Sequence, residues 1–182
     1  MGKNILVLTG SPRKNGNSDK LADAFISGAQ QAGHTTVKYS TADKTIKGCI
    51  DCQTCFKHGT ACSIPDDFNT LAPLIEQADM LVLATPLYCF SFPMQLKAAI
   101  DKFYAFLISQ TPLKIKESAL LVTGGSKDKA EYEGIVQSYQ LMSKFMQWTD
   151  QGVIVVMGLH GKDEILATDG LSRAENFGKS IV

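Results

Sequence analysis

The sequence predicts an α/β fold, a three-layer doubly wound sandwich built on a five-stranded parallel sheet. Three observations lead to it. Short apolar runs alternate with segments of helical period along the whole chain. The runs are continuously apolar, as strands covered on both faces are. Each run leads through a loop into a helix candidate, the rhythm of successive βα units.

Lys3 to Leu8 is the first strand, and a helix from Ser18 to Ala32 follows. Ala32-Gly33 closes that helix, because glycine suits the left-handed residue beyond a helix end. Thr36 to Tyr39 is the second strand; Asp66 and Asp67 stand where they would cap a second helix, Asp67 to Gln77. Met80 to Thr85 forms the third strand and Pro93 to Ile108 its helix, and Ser118 to Thr123 the fourth, followed by a helix from Lys129 to Trp148. Gly152 to Met157 is the fifth strand, and a last helix runs from Ser172 to the C-terminus. With right-handed crossovers the economical strand order is 2-1-3-4-5. In that order the ends of strands 1 and 3 meet at the switch point where open α/β sheets bind ligands.

The 182 residues suffice for one domain, 1–182, with a proper core, and there is no repeat or low-complexity tract. Eighteen basic and eighteen acidic residues cancel, so no basic field recruits nucleic acid or an anionic membrane. The N-terminal apolar run is too short for a secretory signal, and the longest later run is broken by Pro86, so the expectation is a cytoplasmic protein. Five cysteines, an odd number, argue for thiols or a metal site over a disulfide framework.

Gly10-Ser11-Pro12-Arg13-Lys14-Asn15-Gly16-Asn17-Ser18 lies between the first strand and its helix. A strand that ends in such a loop and turns into a helix aims unpaired N–H groups and the positive end of the helix dipole at one point, where an anion is held. Asn17 after Gly16 excludes a Walker A loop, and Gly10 lacks the glycine two residues on that a dinucleotide motif needs. A hydroxyl- and amide-rich loop with one guanidinium suits a phosphate monoester. The competing account is a surface turn in which Ser18 merely caps the helix.

The loop after strand 3, Thr85 to Pro93, holds three aromatic residues and two prolines, a stiff apolar composition suited to a flat ring. Phe90 and Phe92 filling core or a subunit interface is the alternative. Thr123-Gly124-Gly125 ends strand 4 on the same edge, with glycines that let backbone N–H groups come close to a ligand. Cys49, Cys52 and Cys55 at two-residue gaps, then Cys62 after six more, can wrap one small inorganic core. Bare or reactive thiols, or a four-thiolate zinc site, are the competing accounts. Elsewhere, His34 reads as an exposed turn residue, His58 as surface, Lys97 with Asp101 as a structural pair and Trp148 as packing. His160 follows the last strand and could reach the site from this subunit or a partner.

Together, the Gly10–Ser18 loop, Pro86-x-Tyr88-x-x-Ser91-x-Pro93 with the following Leu96-Lys97 and Ile100-Asp101, and the segment around Cys49 resemble the NADPH-dependent FMN reductase and iron-sulfur flavoprotein group of flavodoxin-like proteins. The similarity runs from residue 3 to about Gly125, and more loosely to Gly178. It implies FMN, with Ser11, Arg13, Asn17 and Ser18 at the phosphate, Pro86, Leu87, Tyr88, Cys89 and Phe90 framing the ring, and Thr123, Gly124 and Gly125 at its polar edge. It also implies NAD(P)H as co-substrate and a homodimer or higher oligomer with the flavin near the interface. The cysteine spacing is similar to that of the group's members with a [4Fe-4S] cluster.

Three functions stay open at this point. The first is an FMN-dependent NAD(P)H oxidoreductase acting on a small acceptor such as free flavin, a quinone or a nitro compound. The second is an iron-sulfur flavoprotein electron carrier served by a ferredoxin-like donor, and the third a thiol or metal sensor on the same scaffold. The first needs no protein acid or nucleophile, because the flavin carries the chemistry, so no catalytic side chain is assigned.

Overall fold

β1 (Asn4–Thr9) is the strand on which the rest is assembled. In the computed structural model, which describes residues 2–182, it pairs in parallel with β2 (Thr35–Ser40) on one side and β3 (Met80–Pro86) on the other. β4 (Glu117–Thr123) and β5 (Thr149–Val156) extend the sheet beyond β3, giving the order β2-β1-β3-β4-β5. The register runs straight across: Tyr39 lies beside Leu8, Leu8 beside Leu83, Leu83 beside Leu120, and Leu120 beside Val153. The order and the five strands are as the sequence predicts.

Because alternate side chains point to opposite faces, each central strand feeds two cores. Ile5, Val7, Val82 and Leu121 meet α1 (Asn17–Gln31) and α6 (Gly170–Ser180) on one face. Leu6, Leu8, Leu83 and Leu120 meet α2 (Phe68–Gln77), α3 (Met94–Asp101), α4 (Tyr104–Ile108) and α5 (Glu133–Phe145) on the other. β2 departs from the expectation of burial on both faces: only Tyr39 is buried, because an edge strand lacks a neighbour. None of the described helices is long and apolar enough to cross a membrane.

Several boundaries differ from the expected ones for tertiary reasons. The helix expected from Pro93 to Ile108 breaks into α3 and α4, with tight turns from Lys102 N–H to the Ala99 carbonyl and Phe103 N–H to Ile100. At the break the Lys102 side chain turns inward to Asp66, Nζ to Oδ2 2.5 Å, and both are 1% exposed. The helix expected from Lys129 to Trp148 starts as a 3₁₀ turn, Lys129–Tyr132, whose Ala130 N–H donates to Asp128, and ends at Phe145. Trp148 packs edge-on against Phe103, ring centres 6.1 Å apart, as packing predicts. Lys97 and Asp101 pair at 2.6 Å, also as predicted.

The competing account of the first loop, with Ser18 as a mere cap of α1, does not hold: Gly16 has the cap position with no side-chain bond, and Ser18 is buried within the first turn. Asp67 takes the N-cap position of α2 as expected, but its carboxylate makes no bond to the helix and accepts from Thr45 N–H instead, whereas Asp66 accepts from Phe68 N–H at 3.0 Å. His34 is buried, not an exposed turn residue. Lys3 N–H donates to its Nδ1 at 3.0 Å, so its Nε2 carries the proton donated to the Ile181 carbonyl at 2.9 Å, tying the N-terminal strand to the C-terminus.

α1 and α6 cross at glycines. A Cβ added at Gly28 would collide with the Glu175 carbonyl oxygen, and one at Gly178 with that of Phe25. A Gly28→Val substitution gains less than about 1 kcal/mol of helix propensity, while overpacking against backbone costs about 2 kcal/mol or more. The overpacking wins by about 1 kcal/mol or more, so the expected outcome is a Tm lower by roughly 2 °C or more in a thermal melt followed by circular dichroism.

Candidate active site

The loops after β1, β3, β4 and β5 converge at the C-terminal edge of the sheet, and their backbones continue its pairing. Gly10 N–H donates to the Ala84 carbonyl, Leu87 N–H to Thr123, Gly124 N–H to Val156 and Leu159 N–H to Gly124, at 2.8 to 3.1 Å. These bonds fix four loops around a cavity of about 220 Å³. Its walls are Ser11, Arg13, Gly16, Asn17, Ser18, Pro86, Leu87, Tyr88, Thr123, Gly124, Gly125, Leu159 and His160. Ten of the twelve residues expected at the cofactor therefore share one cavity.

Cys89 and Phe90 do not line it. They are the middle of a tight turn, closed by hydrogen bonds both ways between Tyr88 and Ser91, and both have left-handed backbones (φ 44° and 62°). Each such residue costs about 1–2 kcal/mol. The turn leaves Phe90 58% and Tyr88 42% exposed at the rim. Phe92, by contrast, is in the core.

One end of the cavity is built for an anion. The first helical bond of α1 runs from Lys20 N–H to the Gly16 carbonyl, so the N–H groups before it have no intrahelical partner. Ser11 accepts from Arg13 N–H at 3.1 Å and Ser18 lies buried beside it. Pro86, Leu87 and Tyr88 form an apolar wall further along. Gly124 is a glycine because Tyr132 takes the space of a side chain: a Cβ there would come within 2.5 Å of Tyr132 Oη, whose hydroxyl donates to the Ser126 carbonyl. An anion-binding set of donors and an apolar wall in one cavity match a phosphorylated ring cofactor of the FMN type.

Gly16, Leu159 and His160 were not among the expected cofactor residues. His160 arrives through a loop that clamps onto α1: Asn17 Nδ2 donates to the Gly161 carbonyl at 2.8 Å, Ile165 N–H reaches Asn17 Oδ1 at 3.4 Å, and Lys20 pairs with Asp163 at 2.8 Å. Both polar ends of Asn17 are thereby engaged. Glu164 accepts from His160 N–H at 2.7 Å, and bonds from the Gly161 and His160 backbones hold its carboxyl below the usual range. Lys20 does the same for Asp163. The small residues of Gly158-Leu159-His160-Gly161 after a strand were the available signal.

The second constellation lies in the irregular segment between β2 and α2. Cys49, Cys52, Cys55 and Cys62 line one narrow cleft together with Lys102 and Tyr104. Asp51, Gln53 and Phe56 all have left-handed backbones (φ 51° to 61°), winding the chain tightly there. The Cys52 sulfur lies 3.1 Å from the Thr54 hydroxyl and 3.5 Å from Ser63, and these hydroxyls push its thiol down to about 7. Burial, then the neighbouring Cys62, Cys52 and Cys49, push Cys55 up. Asn69 pins the Cys62 backbone, accepting its N–H at 2.8 Å. His58 is exposed, as expected. Among the described residues, no three His, Cys, Asp or Glu side chains are gathered as ligands of a metal ion would be.

Residues 3–159 match the model of the NADPH-dependent FMN reductase family. An iron-sulfur flavoprotein of Archaeoglobus fulgidus is 34% identical over 99 residues, 54% of this chain and 44% of that protein, so the match spans less than half the relative's length. Another, from Methanosarcina thermophila, is 31% identical over 134 residues, 74% of this chain and 69% of the relative. Among solved structures, an NAD(P)H:quinone oxidoreductase from Methanothermobacter marburgensis superposes with a TM-score of 0.77 at 19% identity, covering 98% of this chain and 96% of the other, a likeness of fold. With the strand order, the cavity and a family match over most of its length, the chain belongs to the NADPH-dependent FMN reductase family of flavodoxin-like proteins.

Proposed function

We propose that the chain holds FMN in the cavity at the sheet edge and uses it to pass electrons from NAD(P)H to a small oxidised acceptor, such as a free flavin, a quinone or a nitro compound. The observation that carries this is the joining of an anion-binding helix start and an apolar wall in one cavity. Bound flavin would supply hydride acceptance: two electrons and one proton enter, adding one negative charge to the cavity. The protein's part is position. Ser11, Ser18, Arg13 and the first N–H groups of α1 hold the phosphate, and Pro86, Leu87 and Tyr88 support the ring while its other face stays open to the co-substrate. Family membership supports this choice over a sensor without flavin. The same proposal includes a homodimer formed at the rim that exposes Tyr88, Phe90 and Met94.

A second reading is an iron-sulfur flavoprotein electron carrier, served by a ferredoxin-like donor, with a [4Fe-4S] cluster on Cys49, Cys52, Cys55 and Cys62. It is favoured by the sharing of one cleft by all four thiols and by the likeness to the iron-sulfur flavoproteins of Archaeoglobus fulgidus and Methanosarcina thermophila. Four thiols are the donor set such a cluster takes, and holding one would require these sulfurs, which are not gathered as ligands of one metal ion would be, to converge.

Replacing Ser11 and Ser18 together by Asp puts two negative charges where the phosphate would sit. Protein purified without oxygen is expected to show flavin absorption bleached by NADPH in the wild type and no flavin in the variant, with an unchanged circular dichroism spectrum; equal flavin content in both would refute the phosphate assignment. Iron and acid-labile sulfide measured on the same wild-type sample decide the second reading. In iron-free protein, Cys52 should alkylate with iodoacetamide faster than Cys55, with a rate rising through about pH 7 as its thiolate forms. Thr54→Val removes a hydroxyl donor and should move that midpoint to higher pH, read by mass spectrometry. Light scattering should return about twice the 19.7 kDa chain mass.

A further inference from the structure

The β5–α6 loop brings to the cavity an imidazole to which the phosphate and ring contacts above give no role, and the backbone on both sides of it is tied down. We propose that His160 donates a hydrogen bond that stabilises the negative charge gained by the reduced cofactor, and that Asn17 and Glu164 are the residues that position it. The proposal rests on the FMN site described above.

The ring is built into the wall of the cavity. A Cβ at Gly125 would lie 2.8 Å from His160 Nδ1, so the imidazole occupies the space that this glycine leaves at the end of β4. The backbone on either side of the ring is tied down: His160 N–H to Glu164 at 2.7 Å and the Gly161 carbonyl to Asn17 at 2.8 Å. His160 itself is exposed, and an exposed residue does not need such ties for stability. They serve a donor that must be in place before charge develops, because a preorganised dipole does not reorganise at the moment of reaction.

The distribution of donors points the same way. Ser11, Arg13 and Ser18 come from the loop after β1 and the first turn of α1. The stretches after β4 and β5 contribute Gly124, Gly125 and Leu159, with Thr123 and His160 as the side chains that carry a donor. Thr123 is only 4% exposed. The two loops meet where the Arg13 guanidinium lies 3.5 Å from the His160 carbonyl, so charge added to a ring against Gly124 and Gly125 has the His160 imidazole as the exposed side-chain donor of that wall.

The test compares the affinity of the whole protein for oxidised FMN with that for FMN reduced by dithionite under anaerobic conditions. A hydrogen bond to a charged group predicts that His160→Ala weakens binding of reduced FMN about tenfold or more and of oxidised FMN by less than about threefold. His160→Gln, which keeps a donor, should recover most of the loss, and Asn17→Ala, which frees the loop, should shift the same ratio in the same direction. An unchanged ratio, or equal losses for both redox states, would overturn the proposal, because a residue that only walls the cavity affects both alike. If His160→Ala does not fold, the Asn17→Ala ratio decides, with no change counting against it. Failure of the wild type to bind either form would instead remove the FMN site itself.

Discussion

The constraint on which everything else depends is that a parallel strand can be followed by another in the same sheet only if the chain crosses a face and returns to the starting edge. Every crossover here is made by helix, so every loop after a strand emerges on one side of the molecule. With β1 between β2 and β3, paired to β2 from Asn4 to Thr9 and to β3 from Ile5 to Thr9, the loop before α1 stands beside the loop before α3. β4 and β5 add theirs in turn. A cavity with an anion-binding end and an apolar end is thus a product of strand order, and the side chains only furnish it.

Furnishing that edge requires long irregular segments to hold still, and buried polar ties do this. Lys102 and Asp66 are the main instance. Removing both from water is costly, and their attraction offsets that cost only because the remaining polar atoms are satisfied: Asp66 also accepts from Lys47 and Phe68 N–H groups. The pair ties the start of α2 to the end of α3 and borders the cysteine cleft through Lys102. Asn69 does similar work on the Cys62 backbone. A segment with neither helix nor strand thereby acquires a defined shape.

What could be read in the sequence was what period and spacing encode. The apolar runs gave all five strands because burial on both faces leaves no polar positions in the central ones, and the Gly10 to Ser18 loop could be placed because helix starts follow local chemistry. What stayed hidden depended on partners far along the chain. The break between α3 and α4 follows Lys102 to Asp66, 36 residues away; His34 is buried because Lys3 and Ile181 flank it; and the tie that seats the loop of His160, a residue the sequence had within reach of the site, runs to Asn17 across 144 residues. A single sequence reports each residue's own tendencies, not which distant atom satisfies it.

Asn17 shows how this alters the account of the anion site. Its position in the loop suggested a phosphate ligand, but its amide already donates to Gly161 and its carbonyl oxygen faces Ile165 N–H. Arg13 is differently placed: its guanidinium reaches only the His160 carbonyl, at 3.5 Å and in an exposed position, a contact too long to hold it against a charged ligand. That leaves backbone N–H groups, the two serine hydroxyls and a guanidinium free to turn as the donors available to an anion, while Asn17 fastens the β5–α6 loop against α1. Residues 13, 17 and 20 all touch that loop, so the helix start that lines the cavity also sets the position of the loop carrying His160.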